Sequence, residues 1–238
     1  MIRTVTIAAV ALATSACHVG AEAEERDPGS TVNRNYQLGA FDKIEVAGSY
    51  EVKVTTGGAP GASATGGDKL LDETKVVVEN GTLKIVPKKN ERWSWGKQGK
   101  AQFTVTTAML HSAVIAGSGR IAVDKVDGDF KGVVAGSGNL QLAAVNGGAI
   151  DLTIAGSGKV GAAGKAQSTK LVVAGSGDVD AAGLAAKTAD VSIAGSGNVR
   201  AHASDTAKVE IMGSGDVTIS GGAKCSVSKA GSGNVTCG

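Results

Sequence analysis

Through the second half of the chain, apolar side chains fall at every second position around a recurring tetrapeptide, Ala-Gly-Ser-Gly. Its first glycines are Gly117, Gly136, Gly156, Gly175, Gly195, Gly213 and Gly231, and the copy at Gly213 opens with Met212 in place of alanine. Two residues before these glycines stand Ile115, Val134, Ile154, Val173, Ile193 and Ile211, with Lys229 breaking the series. Four residues after them stand Ile121, Leu140, Val160, Val179, Val199, Val217 and Val235. A period of two with β-branched residues on one parity predicts strands with one buried face. The odd offsets vary freely: Arg120, Asn139, Lys159, Asp178, Asn198, Asp216 and Asn234 follow the second glycine.

The copies are 19, 20, 19, 20, 18 and 18 residues apart. Self-similarity at that interval marks a stacked architecture in which one unit cannot bury its apolar face alone. Each repeat reads as strand, glycine corner, strand and polar turn, the turns exemplified by Ser204-Asp205 and Gly221-Gly222. A hairpin meander has no need of the same corner seven times, whereas a parallel solenoid must stack like residues in register. The predicted fold is all-β: a parallel β-helix (β-solenoid) of about 19-residue coils over residues 108–238, preceded by a less regular β-sheet region at 36–107. At ~4.8 Å per coil, seven coils make a rod about 34 Å long.

In that earlier region, Ile44, Val46, Val52 and Val54 repeat the parity around Gly48, with Tyr50 in place of the second glycine. This segment reads as a degenerate first member of the stack, with Phe41 over its open end. Lys75–Glu79 and Thr82–Val86 flank Asn80-Gly81, a type I′ hairpin signal, and 102–106 reads as a further strand.

The N-terminus changes the picture from fold to location. Arg3 followed by the apolar run Val5–Ala13 reads as an export signal within residues 1–23, too short for a permanent membrane span. Thr14-Ser15-Ala16-Cys17 resembles a lipobox, which would acylate Cys17; the alternative is ordinary cleavage after Ala16 or Ala23. Residues 24–35 read as a polar tether. Cys225 and Cys237 lie six before and six after Gly231 on the inward parity, which predicts a disulfide closing the last coil; two buried thiols are the alternative. Net charge is +2 and aromatic content 3%, so the core is aliphatic and thin, and nothing demands a nucleic-acid partner.

Candidate chemistry is sparse. His18, His111 and His202 show no metal-ligand spacing, and the row Ser118, Ser137, Ser157, Ser176, Ser196, Ser214, Ser232 reads as corner chemistry with no base beside it. Asp124, Asp127 and Asp129 read as a polar turn, and the glycine motif lacks the aspartate of a calcium-binding nonapeptide. No catalytic residue, metal or cofactor is assigned. The candidate ligand contact is the segment holding Lys88, Lys89, Arg92, Trp93, Trp95, Lys97 and Lys100, since indoles among cations suit sugar rings or anionic polymers. Its alternative role is a loop whose tryptophans fold back over the core.

Phe41-Asp42-Lys43-Ile44, Gly66-Gly67-Asp68-Lys69-Leu70-Leu71, Asn80-Gly81-Thr82-Leu83-Lys84-Ile85 and Leu110 before the Gly-Ser-Gly copies resemble the bacterial envelope family described as "putative auto-transporter adhesin, head GIN domain". The resemblance spans residues 36–238 and implies an exported, often lipid-anchored β-helical protein with an adhesive role and no catalytic residues to carry over. The expectation is therefore a non-enzymatic envelope protein, an outer-membrane lipoprotein or a periplasmic or cell-surface chain. Its partner would be an envelope glycan or surface polymer, with the membrane reached through acylated Cys17 and oligomers allowed. A polymerising structural solenoid and a polysaccharide-active enzyme are the alternatives.

Overall fold

The computed structural model describes residues 25–88, 94–95 and 100–238. Two parallel strand stacks, joined at the glycine corners, wind into a β-solenoid. The pre-corner stack runs Lys43–Gly48, Ser112–Gly117, Phe130–Gly136, Ala149–Gly156, Ser168–Gly175, then the later halves of Asp178–Gly195 and Val199–Gly213, and finally Lys224–Ala230. The post-corner stack runs Glu51–Thr56, Arg120–Asp127, Asn139–Asn146, Lys159–Lys165, the earlier halves of the two long strands, Val217–Ser220 and Val235–Cys237. Inward columns form as the parity requires: Ile115, Val134, Ile154, Val173 and Ile193 are buried in one, Ile121, Leu140, Val160, Val179 and Val199 in the other. Val179 and Val199 are direct register partners.

The corners explain the tetrapeptide. Gly136 has φ +121°, and a β-carbon there would stand 2.6 Å from the Gly117 carbonyl oxygen of the preceding turn. At the second glycine of a corner the obstruction is purely steric: a β-carbon on Gly177 would stand 2.6 Å from the Gly158 oxygen and equally close to Ile154. The serine between them donates its backbone N–H to the first-glycine carbonyl one turn earlier, as Ser137 does to Gly117 at 2.9 Å and Ser157 to Gly136 at 3.0 Å. Tyr50 stands where the later corners have their second glycine, and its side chain is buried in the core. Its ring meets Phe103 edge-on at 5.6 Å, and its hydroxyl pairs with Thr74 at 2.9 Å.

Pre-corner strands pair without a register break from Gly117 through Gly213, although turn length varies. The slack lies elsewhere. Leu142–Val145 opposes the shorter Ala162–Gly164, Gly161–Ala163 opposes the longer Asp180–Gly183, and Ala181–Ala185 opposes Ala201–His202. These bulges reproduce the changes between 18-, 19- and 20-residue turns. Ser204-Asp205 is accordingly not the expected turn but part of the continuous strand Val199–Gly213, where a bulge supplies the bend.

The segment before the repeats is the expected less regular β-sheet region, and it caps the first rung. Thr82–Pro87 and Gln102–Thr107 extend the two stacks beyond Lys43–Gly48 and Glu51–Thr56, so the first rung is covered by strands and Phe41 is one buried member of the core. Thr74–Glu79 closes one side as an antiparallel hairpin, with Asn80 at φ +50° and Gly81 at φ +72°, as a type I′ turn needs. Gly61–Gly67 and Thr31–Tyr36 close the other antiparallel, so much of the expected tether at 24–35 is strand. A five-residue helix, Asp68–Asp72, tucks Leu70 and Leu71 under this cap. At the far end Cys225 and Cys237 are disulfide-bonded, and Lys229, exposed at the offset where other turns bury isoleucine or valine, donates to the Gly233 carbonyl at 2.9 Å.

Gly136→Ala combines left-handed strain with a backbone collision and should cost about 3–5 kcal/mol, whereas Gly147→Ala, at φ +83° with open space, should cost about 1–2 kcal/mol. Urea unfolding of the two variants checks the order. Reduction of Cys225–Cys237 should raise amide exchange within Lys224–Cys237 selectively, and lower stability by at most about 3 kcal/mol. Exchange mass spectrometry with and without reductant reads it.

Candidate functional site

Odd-offset side chains point outward, and stacking turns them into rows. Two axial furrows result, each lined by the same two offsets from five successive turns. The post-corner furrow holds Asn139, Gln141, Lys159, Gly161, Asp178, Asp180, Asn198, Arg200, Asp216 and Thr218. Its polar groups are largely bonded to one another. Lys159 meets Asp178 at 3.6 Å, Arg200 meets Asp180 at 2.7 Å, the Asn198 amide donates to Asp178 at 3.1 Å, and the Asn234 amide donates to Asp216 at 3.2 Å.

The pre-corner furrow encloses about 640 Å³ and differs in kind. One wall is Ala149, Ser168, Thr188, Thr206 and Lys224; the other is Asp151, Lys170, Asp190, Lys208 and Ser226. Between them the chain turns Ile150, Thr169, Ala189 and Ala207 inward, and all four are buried. Lys131 continues the second wall by one turn, giving the registered series Lys131, Asp151, Lys170, Asp190, Lys208. Among the described residues no ion pair joins neighbours in this series. Lys208 instead meets Glu210 on its own strand at 2.7 Å, and that hydrogen bond raises its pKa above the ordinary lysine value.

The sequence-derived candidates are distributed otherwise. Lys89, Arg92, Trp93 and Lys97 lie outside the described residues, as does the side chain of Trp95, whose backbone pairs in parallel with Arg26. Cys17 also lies outside them. Lys88 donates its ammonium to the Asp72 carbonyl, tying it to the cap, and Lys100 is exposed. Asp124, Asp127 and Asp129 each bind structure: Asp124 accepts the Thr56 N–H at 3.0 Å, Asp129 accepts the Ala149 N–H at 2.8 Å, and Asp127 meets Lys125 at 2.8 Å. The Lys125 bond, with one from Asn146, holds the Asp127 carboxyl below its usual pKa. His111 contacts the Asp129 carbonyl and the Met109 sulfur, each at 3.2 Å, and His202 contacts Ser220. Among the described residues no three His, Cys, Asp or Glu side chains converge in a metal-binding group.

The alternating wall was present in the sequence at offset −5 but could not be recognised there. Single odd positions vary in identity, and only stacked registers turn Asp151, Lys170 and Asp190 into neighbours.

A capped parallel β-solenoid with glycine corners and polar axial furrows is the class this geometry defines. Residues 40–223 match the family described as putative auto-transporter adhesin, head GIN domain, and the chain belongs to that family. Among solved structures, a putative adhesin of Bacteroides fragilis is similar at 22% identity, covering 89% of this chain and 99% of its own, with a TM-score of 0.80. A putative lipid binding protein of Parabacteroides distasonis is 25% identical over 90% of this chain and 100% of its own, with a TM-score of 0.74. A putative adhesin of Parabacteroides merdae is 17% identical over 89% and 98%, with a TM-score of 0.68. Among curated proteins none matches the sequence.

The furrow walls are exposed, so Lys170→Gln, Lys208→Gln and Asp180→Asn should each shift unfolding stability by no more than about 0.5–1 kcal/mol. Thermal denaturation checks this, and a larger loss would mean that the walls hold the fold.

Proposed function

We propose that this chain is an exported, non-enzymatic envelope protein that binds or scaffolds an extended surface polymer along its solenoid. The observation that carries the reading is the pair of furrows in which five consecutive turns offer the same polar positions at one fixed interval. Repetition of that kind suits a repeating ligand better than a single small molecule, because each unit meets an equivalent rung. Membership in a family described as adhesin-like agrees with it.

Both ends of the rod favour a finite module over an open filament. The N-terminal end is closed by antiparallel strands and the last turn by a disulfide, while lysines at 224 and 229 blunt its edge strand. Anchoring would come through Cys17, acylated after cleavage behind Ala16, with the chain held at the outer membrane or cell surface.

Two measurements test the reading with the full-length gene product. The mature chain should carry a diacylglycerol thioether on Cys17 by intact-mass analysis; a soluble chain starting at or after Cys17 without lipid removes the anchor. Purified protein should sediment with isolated envelope polysaccharide without releasing reducing ends. Steady release of reducing ends, abolished by a furrow substitution, would replace the binding role with a catalytic one.

A further inference from the structure

We propose that the pre-corner furrow binds an acidic glycan carrying one carboxylate per disaccharide. The inference rests on the polymer-binding role and adds the ligand's chemistry.

The two furrows differ in whether their charges are already satisfied. Post-corner cations are engaged by Asp178 and Asp180, so a ligand would first have to break those bonds. In the pre-corner wall, Lys131 and Lys170 face outward with no carboxylate in ion-pair contact among the described residues, and Lys208 is bonded to the exposed Glu210 and feels the charge of Asp190 one rung away. Their ammoniums remain available to a ligand anion.

Spacing then selects the ligand. Neighbouring rungs lie ~4.8 Å apart, so cations on alternate rungs recur every ~9.6 Å along the furrow, close to the length of one extended disaccharide. A glycan with a uronate at every second sugar would bring a carboxylate to Lys131, Lys170 and Lys208 in turn. Asp151 and Asp190 lie at the intervening rungs, and an ionised carboxylate only accepts hydrogen bonds. They would repel a second carboxylate and accept from hydroxyl or amide N–H groups of the neutral sugar. The opposite wall offers Ser168, Thr188 and Thr206, whose hydroxyls both donate and accept.

The test is retention of the purified chain on four immobilised polymers at low and high salt. The first is an alternating polymer of glucuronate and N-acetylglucosamine; the others are polygalacturonate, neutral dextran and poly-glutamate. The alternating glycan should bind at least tenfold more tightly than the others, with binding weakening as salt rises. The combined variant Lys131→Gln, Lys170→Gln, Lys208→Gln should lose at least tenfold while keeping its melting temperature. Asp190→Lys, which makes three consecutive rungs cationic, should shift preference toward polygalacturonate. Equal binding of polygalacturonate or poly-glutamate by the unaltered chain overturns the inference, as does an unchanged triple variant. Retention on dextran alone overturns it too but leaves the polymer-binding role standing. No retention on any of the four, together with no sedimentation with native envelope polysaccharide, overturns that role and the inference with it.

Discussion

The close approach of one glycine corner to the next governs the rest of this molecule. Where the chain turns, a carbonyl of one winding accepts the serine N–H of the following one, at 2.9 Å between Ser137 and Gly117. Backbone can come that near only where no β-carbon intervenes. This contact fixes the register of the strands on either side, and the valine and isoleucine columns follow because equal offsets then face equal offsets. The outward rows have the same origin. Insertions that would scramble both are taken up by bulges at Leu142–Val145 and Ala181–Ala185, several residues from the corner.

A stack of near-identical turns carries its own hazard, since a winding that skips one neighbour still finds matching aliphatic residues. The polar rows remove that degeneracy. Adjacent turns place Lys131 beside Asp151 and Lys170 beside Asp190, whereas a skipped turn sets Lys131 against Lys170. Among the described residues no ion-pair contact joins these neighbours, so their attraction is small and the discrimination comes from the like charges a skipped turn would set opposite each other, which cost up to about 1 kcal/mol per pair. The ladder Asp178, Asn198, Asp216, Asn234 works in the same sense, because Asn can donate to Asp but two carboxylates cannot bond. Sign alternation thus encodes winding order as well as surface chemistry.

Period and parity made the solenoid readable from the residues. They place the buried offsets and the corners and set Cys225 opposite Cys237, and the disulfide there is the one of two open readings that the structure shows. The cap was less legible for specific reasons. Gly61–Gly67 is built from alanine, glycine, serine and threonine, which carry little hydrophobic signal, and it becomes a strand only between two antiparallel partners. Asp68–Asp72 is too short to show a helical period. Thr31–Tyr36 alternates Val32, Arg34 and Tyr36 inward, but it follows the polar run Glu24–Ser30, which reads as a tether; Arg34 is held by Asp72 at 2.8 Å. At the surface, rare residues drew attention to the tryptophan segment, while the furrow consists of common residues at unremarkable positions. Their meaning is created by stacking.

The finite length of the rod shapes what such a surface can do. Three successive pre-corner rungs, Ser168 with Lys170, Thr188 with Asp190 and Thr206 with Lys208, each present one charge and one hydroxyl, contacts that are individually weak in water. Several rungs acting on one continuous polymer are linked contacts, so once a first unit is seated the next binds at high effective concentration. The number of rungs a polymer engages sets the strength available per molecule. Fixed registers supply the complementary property: a ligand whose repeat departs from the rung spacing falls out of phase within a few turns and loses the later contacts. A thin aliphatic core whose pre-corner strands keep their register would thus let the proposed furrow discriminate polymers by repeat length without a deep pocket.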